Sequence, residues 1–287
     1  MCSSDLKRYD LIFLFLYNKN GRRDADEEDA MRLDKFLSDM NMGTRTKLKR
    51  DIRKGAVQVN GEKITDPRFK VNESDEVIFA GEPVFYFHNE YYMLNKPAGV
   101  ITATEDRHQK TVMDFFGEKR RKDLSPVGRL DKDTVGLLLV TNDGEFHYRV
   151  LSPKKHIDKE YYARIDGKVD DADRERFEKG IYVDETFTAL PAKLVIDGYR
   201  ENALESDFMD LANSCALKSA LKNGVSEVRV VVQEGKFHQI KRMFHAIGKE
   251  VIYLKRIRIG TLVLDSALEE GAYRRLTAGE VAAFGRK

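Results

Sequence analysis

One short stretch carries residue types fit for chemistry. It is Gly128-Arg129-Leu130-Asp131-Lys132-Asp133-Thr134-Val135-Gly136, running into the apolar Leu137-Leu138-Leu139-Val140. A lone carboxylate, Asp131, stands between Arg129 and Lys132 in a glycine-bounded loop ahead of a strand pattern. Alternation with Leu130 lets Asp131 point away from the core. Flanking cations favour the ionised form, which a nucleophile or general base needs. An ordinary surface ion pair has the same features, so the loop alone leaves both readings open. A calcium loop fits badly. Asp131-x-Asp133-x-x-Gly136 imitates its start, but Val135 and Asn142 occupy positions that need an oxygen ligand and a glutamate.

The elements around this loop fall into two patterned regions. Residues 31 to about 54 read as two short helices. Leu33, Phe36, Leu37 and Met40 share helical spacing, and Thr44 is a good N-cap for a second helix ending before Gly55. Ala56 to Val59 alternates as a strand, Asn60-Gly61 signals a tight hairpin, and Glu62 to Ile64 returns. Glu76 to Phe79 adds another strand, and Gly81-Glu82-Pro83 reads as a linker. Beyond it the pattern is mostly strands, with candidates at Tyr91–Leu94, Gly136–Thr141, Glu160–Ile165, Ala192–Ile196 and Glu227–Gln233. Helices are expected at Ala172–Lys179, His238–Ile247 and, within a long loop, Asp207–Leu221. The expected organisation is an extension over 1–30, poorly ordered, a small domain over 31–82 and a larger one over 88–287. Met31 opens the patterned region and is a plausible true start.

Charge is distributed more tellingly than its total of +2. Between Arg32 and Lys54 eight cations face only Asp34, Asp39 and Asp51; between Lys236 and Arg258 seven face only Glu250. Two basic blocks on a near-neutral chain point to a polyanionic partner. Cys2 and Cys215 form neither a disulfide framework nor a metal spacing, which fits a reducing cytoplasm. Leu11 to Tyr17 is apolar but short and badly flanked for a signal peptide, and no apolar run reaches membrane-spanning length.

The small basic region resembles the S4-like RNA-binding domain. The resemblance rests on Arg32-Leu33-Asp34-Lys35-Phe36-Leu37, Thr44-Arg45-Thr46-Lys47-Leu48 and Gly55 to Gly61. A helix N-terminus at Thr44 offers N–H groups to phosphate. Arg32, Lys35, Arg45, Lys47, Lys49, Arg50 and Lys54 add charge for an RNA backbone. The larger region resembles the pseudouridine synthases, most closely the RsuA-type branch that modifies ribosomal RNA. Four segments agree in order: Asn95 to Val100, Gly128 to Leu138, Ser152 to Tyr161, and Glu234 to Phe244.

That resemblance implies an α+β protein, the small helix-helix-sheet domain being followed by a mixed, mainly antiparallel sheet with flanking helices. It implies that Asp131 is the family's essential aspartate, engaging the target uridine. Tyr161 would stack on the uracil and serve late proton removal. Lys241 would place a cation beside the aspartate, with Arg242 the lesser candidate. Ile240 would pack on the base, and Arg129 would hold the RNA with the uridine turned outward. His238 and Gln239 would support the site or merely pack its loop, and Lys96-Pro97-Ala98-Gly99 reads as a turn without a catalytic role. The chemistry moves no electrons to an acceptor, so neither metal nor redox cofactor is required. The expected partner is ribosomal RNA, most consistent with the small-subunit (16S) species, or an assembly intermediate; a monomer is expected. A large-subunit (23S) enzyme and a non-catalytic assembly factor are the competing readings. The span from Asp197 to Gly224 is longer than the family pattern.

Reversing charge at Arg45, Lys47 and Lys49 should weaken RNA binding broadly across sequences. The log–log salt slope should fall by about 0.7–0.9 per lost phosphate contact. Filter-binding titrations at several salt concentrations check this, and an unchanged slope would remove those residues from the RNA interface.

Overall fold

Why the chain divides in two is visible in where its apolar side chains go. The computed structural model describes residues 30–72, 74–84, 89–117, 121–201 and 223–285. The expected extension over 1–30, save its last residue, and the expected helix at Asp207–Leu221 lie outside them. Two compact units result: residues 30–84 with 121–123, and residues 89–117 with 124–285.

In the first unit, β1 (Met31–Arg32) leads into helix α1 (Leu33–Asp39), followed by α2 (Arg45–Arg53). The strands β2 (Val57–Val59), β3 (Glu62–Ile64), β5 (Val77–Phe79) and β6 (Glu82–Val84) form an antiparallel sheet in the order β3-β2-β5-β6. β4 (Lys70–Val71) pairs with β1. Leu33, Phe36 and Leu37 of α1 and Leu48 and Ile52 of α2 meet Val57, Val59 and Val77 in one buried cluster. The Thr44 hydroxyl caps α2 by accepting from the Lys47 amide at 3.4 Å. Asn60 and Gly61 take φ of 51° and 84°, the pair of left-handed conformations that a type I′ hairpin needs.

The second unit is built on one nine-stranded sheet. Its strands are β7 (Tyr91–Lys96), β8 (Ser125–Val127), β9 (Val135–Thr141), β10 (Lys159–Asp166), β13 (Lys193–Arg200), β14 (Val225–Val232), β15 (Val251–Ile259), β16 (Leu262–Val263) and β17 (Tyr273–Arg275). The main path runs β13-β14-β10-β15-β9-β7-β17, with β16 on β15 and β8 on β9. A small hairpin, β11 (Ile181–Asp184) with β12 (Phe187–Ala189), stands apart. Every pairing in the large sheet is antiparallel except β9 with β15. The mixed, mainly antiparallel sheet matches the expectation.

Strand β9 is buried at all seven positions. Leu138 and Val140 enter one cluster with Leu94, Val112 and Leu130, while Leu137 and Leu139 enter another with Phe146, Val150 and Ile259. Cover on both faces explains why its sequence is unbroken apolar rather than alternating. Helices α3 (Gly144–Leu151), α4 (Asp171–Lys179), α5 (Gln239–Ala246) and α6 (Ala278–Ala283) flank the sheet. Phe177 of α4 and Phe244 of α5 close a third cluster on Ala163, Val228, Val230 and Leu254. No helix among the described residues is long and apolar enough to cross a membrane.

Asp34 is the buried polar centre of the first unit. Its fully buried carboxylate takes Arg32 at 3.0 Å, Arg45 at 3.4 Å and Lys49 at 3.8 Å. Burial alone would raise its pKa, but hydrogen bonding and charge from Arg32, then Arg45, outweigh this and hold it below 3.8. A depressed folded-state pKa contributes stability above the unfolded value and loses it as pH falls through the folded value. Asp34→Asn should therefore cost roughly 1–3 kcal/mol at neutral pH. The gap from wild type should close on acidification below 3.8. Hydrogen exchange of α1 and α2 across pH measures this; a gap independent of pH would rule out an ionic origin.

Candidate active site

The loop between β8 and β9 carries Asp131, and it is held from beneath by a side chain that the sequence reading left as part of a turn. Lys96, at the end of β7, is fully buried. Its ammonium donates to the carbonyls of Pro97 at 3.1 Å, Asp131 at 3.0 Å, Lys132 at 3.3 Å and Thr134 at 2.8 Å. The Gly99 amide, in a turn with φ of 81°, donates to Lys132 O at 2.8 Å. The Thr102 hydroxyl donates to Leu130 O at 2.7 Å and accepts from the Leu130 amide at 3.2 Å. Lys96-Pro97-Ala98-Gly99 is thus a turn that also anchors the loop.

The charges facing Asp131 are not its neighbours in sequence. Lys132 is taken up by Gln109 at 2.9 Å, and Arg129 is exposed and makes no ion pair among the described residues. Instead α5 and its leading turn supply the partners. His238 Nε2 lies 3.5 Å from one Asp131 oxygen and Lys241 Nζ 3.6 Å from the other. Lys241 makes its short contact, 2.5 Å, with Asp133. Burial pushes the Asp133 carboxyl up, but the Lys241 hydrogen bond and charge outweigh it and hold the pKa below the ordinary value. Three-residue and four-residue spacing explains the division of α5: Ile240, Met243 and Phe244 are buried while Lys241 is left to face the loop. Asp131 itself is one-quarter exposed.

Strands β10 and β15 make the floor beside the loop. Tyr161 pairs in register with Arg256, whose Cζ lies 6.0 Å from the tyrosine ring centroid. Arg256 is buried and its Nε donates to Leu137 O at 2.7 Å. The parallel seam between β9 and β15 places Gly136 against this residue. A Cβ at Gly136 would lie 2.4 Å from the Arg256 carbonyl oxygen, and its φ is 98°, so only glycine fits. The result is a cleft of about 120 Å³ whose walls include Arg129, Leu130, Asp131, Tyr161, His238, Ile240, Leu254 and Arg256.

Of the residues expected from sequence, Asp131, Tyr161, Ile240, His238, Gln239 and Arg129 all border this cleft, and Lys241 reaches Asp131 from outside its walls. Gln239 is buried as a brace: its amide donates to Glu234 at 3.0 Å and accepts from the Lys236 amide at 3.1 Å. Arg242 is not brought to Asp131; Asp184 takes its guanidinium, which also lies over the Phe187 ring. Of the expected RNA-contacting residues, Arg32, Arg45 and Lys49 converge on Asp34. Lys35 pairs with Asp39, Arg50 with Asp51, and the Thr44 side chain is used by its own helix. Lys47 and Lys54 form no ion pair among the described residues. Sequence reasoning missed Lys96, Asp133, Lys159 and Arg256. For Lys159 and Arg256 a signal existed: each falls in phase with inward-facing residues of its strand, beside Ala163 and Ile165 or Ile252 and Leu254.

Burial pushes the Lys96 pKa down to about 8, although the charges of Asp133 and Asp131 act to raise it. Between about 8 and the ordinary lysine value of 10.5 the unfolded chain holds more protons. The contribution of Lys96 to stability therefore rises with pH through that window, while the loop loses its ammonium. Lys96→Met should expose the loop, lowering protection of the Gly99 and Thr134 amides by tenfold or more, about 1.4 kcal/mol. In wild type their protection, corrected for intrinsic rate, should rise between about pH 8 and 10.5. Unchanged protection in the variant would show that the carbonyl contacts do not order the loop.

Comparison with known proteins gives a consistent result. The family model for RNA pseudouridylate synthases matches residues 90–246 and that for the S4 domain residues 31–77. An uncharacterized RNA pseudouridine synthase, YtzG, of Bacillus subtilis (strain 168) is 39% identical over 88% of this chain and 97% of its own. Ribosomal small subunit pseudouridine synthase A of Escherichia coli (strain K12) is 36% identical over 88% of this chain and 99% of its own. A crystal structure of a pseudouridylate synthase, 33% identical, covers 88% of this chain and 99% of its own at a TM-score of 0.56. With the matched segment spanning more than half the chain and the cleft lying within the same unit, the chain belongs to the RNA pseudouridylate synthase family of isomerases and carries an S4 domain ahead of its catalytic unit.

Proposed function

We propose that this protein isomerises one uridine of small-subunit ribosomal RNA to pseudouridine, with Asp131 as the essential carboxylate. The observation that carries the reading is Asp131 at the edge of a cleft walled by Tyr161 and Ile240, with Lys241 and His238 beside it but at 3.5 Å or more. The carboxylate is supported without being consumed. A uridine must leave its stack to enter, at a cost of a few kcal/mol. Stacking on an aromatic face such as Tyr161 offsets about 1–3 kcal/mol of this. In the reaction the N1–C1′ bond breaks and a C5–C1′ bond forms. The C5 proton leaves and N1 gains one, so no electrons are exchanged with an acceptor. Asp131 engages the sugar or the base at the breaking bond, and the Tyr161 hydroxyl is the base for the C5 proton.

The small-subunit target is favoured by relatives in Escherichia coli and Haemophilus influenzae that are named ribosomal small subunit pseudouridine synthase A, at 36% and 35% identity over nearly their whole lengths. The S4 domain supplies a further RNA-contacting surface. The protein acts as a monomer in the cytoplasm, on ribosomal RNA or an assembling subunit.

Release of tritium from C5-labelled uridine tests this. Wild type should release label from 16S rRNA or an assembly intermediate and not from 23S rRNA. Asp131→Asn should abolish release, by at least about 10³-fold, while RNA affinity stays within a few fold. No release from any ribosomal RNA or intermediate by folded protein sinks the proposal, and release confined to 23S rRNA corrects the target.

A further inference from the structure

Two buried cations line the cleft without a carboxylate partner among the described residues. Arg256 is 3% exposed and Lys159 is 8% exposed. Both border the cleft, with Tyr161 between them in the strand pairing. The Arg256 guanidinium uses only Nε, on Leu137 O; its Nη2 is buried and meets no acceptor among the described residues. Lys159 donates to the carbonyls of Ile157 and Gln233 at 3.2 and 3.3 Å, both at the long end of the range. Burial, then the nearby Arg256 charge, lowers its pKa. The Thr134 hydroxyl on the same cleft is likewise buried and unpartnered.

A buried donor without an acceptor costs free energy, and for a charged group the cost is larger. Fixing the β9–β15 seam needs only Nε, so the seam does not account for the rest of the guanidinium. An incoming acceptor would recover the cost. A phosphate is a poor candidate, because Asp131 borders the same cleft and its charge opposes a dianion. Leu130, Tyr161, Ile240 and Leu254 give the cleft apolar walls suited to a flat ring. The acceptor is then a ring oxygen.

We infer that Arg256, supported by Lys159, is the uracil-reading end of the cleft, donating to the C4 carbonyl oxygen of the turned-out base. The inference rests on the proposed function. It adds a specificity-determining residue to that reading. Uracil presents carbonyl oxygens at C2 and C4, whereas cytosine carries an amino group at C4, which would set donor against donor. The same contact assists the chemistry. When N1–C1′ breaks, the bonding pair stays with the ring and spreads onto its oxygens, where the cation stabilises it. The ring then returns a pair through C5 to C1′, the C5 proton leaves to base, and N1 is protonated. A fixed donor pre-aimed at developing charge is the most effective form of such stabilisation.

The test is a cycle between the side chain and the substrate atom. Wild type and Arg256→Gln are compared in single-turnover rate on RNA with uridine, 2-thiouridine or 4-thiouridine at the target position. 4-Thiouridine should slow wild type by about 10- to 100-fold, the scale of a charged hydrogen bond. Arg256→Gln should lose a similar factor on uridine and nothing further on that analogue. Losses that multiply for 4-thiouridine, or a variant as fast as wild type, overturn the inference. Thermal unfolding checks each variant. Should Arg256→Gln not fold, Arg256→Lys and Lys159→Met carry the same cycle. Equilibrium titration with UMP and CMP separates this inference from the one it rests on. A UMP preference in wild type that the variant loses supports carbonyl reading even if no RNA is turned over, and equal binding of the two nucleotides overturns it.

Discussion

One ammonium group determines where Asp131 can be. Lys96 is buried under the loop, and four main-chain carbonyls turn inward onto it. Carbonyls crowded in that way repel one another unless a donor stands among them, and a buried unpaired acceptor is costly. A lysine does this where a backbone amide cannot, because its three donors radiate from one point. The lysine has no carboxylate contact among the described residues, so its charge remains available. Asp133 and Asp131 both feel it, and it feels them. The group that shapes the loop is therefore also a positive charge beneath Asp131.

Around that point the sheet brings together residues far apart in the chain. The parallel step from β9 to β15 sets the end of the loop against Arg256, and glycine at 136 permits the approach. The antiparallel step from β15 to β10 then sets Tyr161 beside Arg256. The turn ahead of α5 completes the ring of contacts. His238 takes a left-handed backbone with φ of 49°, an uncommon conformation for a residue with a Cβ. That conformation leaves its ring stacked on Phe237, with centroids 3.7 Å apart, and Nε2 directed at Asp131. Glu234 and Gln239 brace the turn from within.

Much of this was legible in the sequence, for local reasons. The helix pair, the Asn60-Gly61 hairpin, β9 and α5 follow from periodicity and capping, which depend on neighbours along the chain. Asp131, Tyr161, Ile240 and Lys241 could be picked out by motif. The partners of Asp131 could not be read from adjacency, since Lys132 turns to Gln109 and Arg129 stays exposed. Strand order is a matter of non-local pairing, and nothing within β9 itself says that β15 will run parallel to it. Lys159 and Arg256 were hidden differently. They lie in basic stretches that look solvated, yet their phase matches the buried residues of their strands. A cation in step with the core is a stronger pointer to a site than a cation in a basic run.

The two units use acids in opposite ways, and that decides what their basic blocks can offer RNA. In the first, three cations converge on Asp34, which has no exposed surface of its own. Their positions are fixed, but part of their charge is already answered. Counting lysines and arginines there overstates the charge left unanswered; Lys47, Arg53 and Lys54 form no ion pair among the described residues. In the second unit Asp133 takes the short bond to Lys241 and leaves Asp131 at 3.6 Å from it. At that distance the ammonium stands beside Asp131 without occupying it through a short bond. The neighbouring carboxylate thus leaves Asp131 without a short ionic bond, at a position that Lys96 has already set.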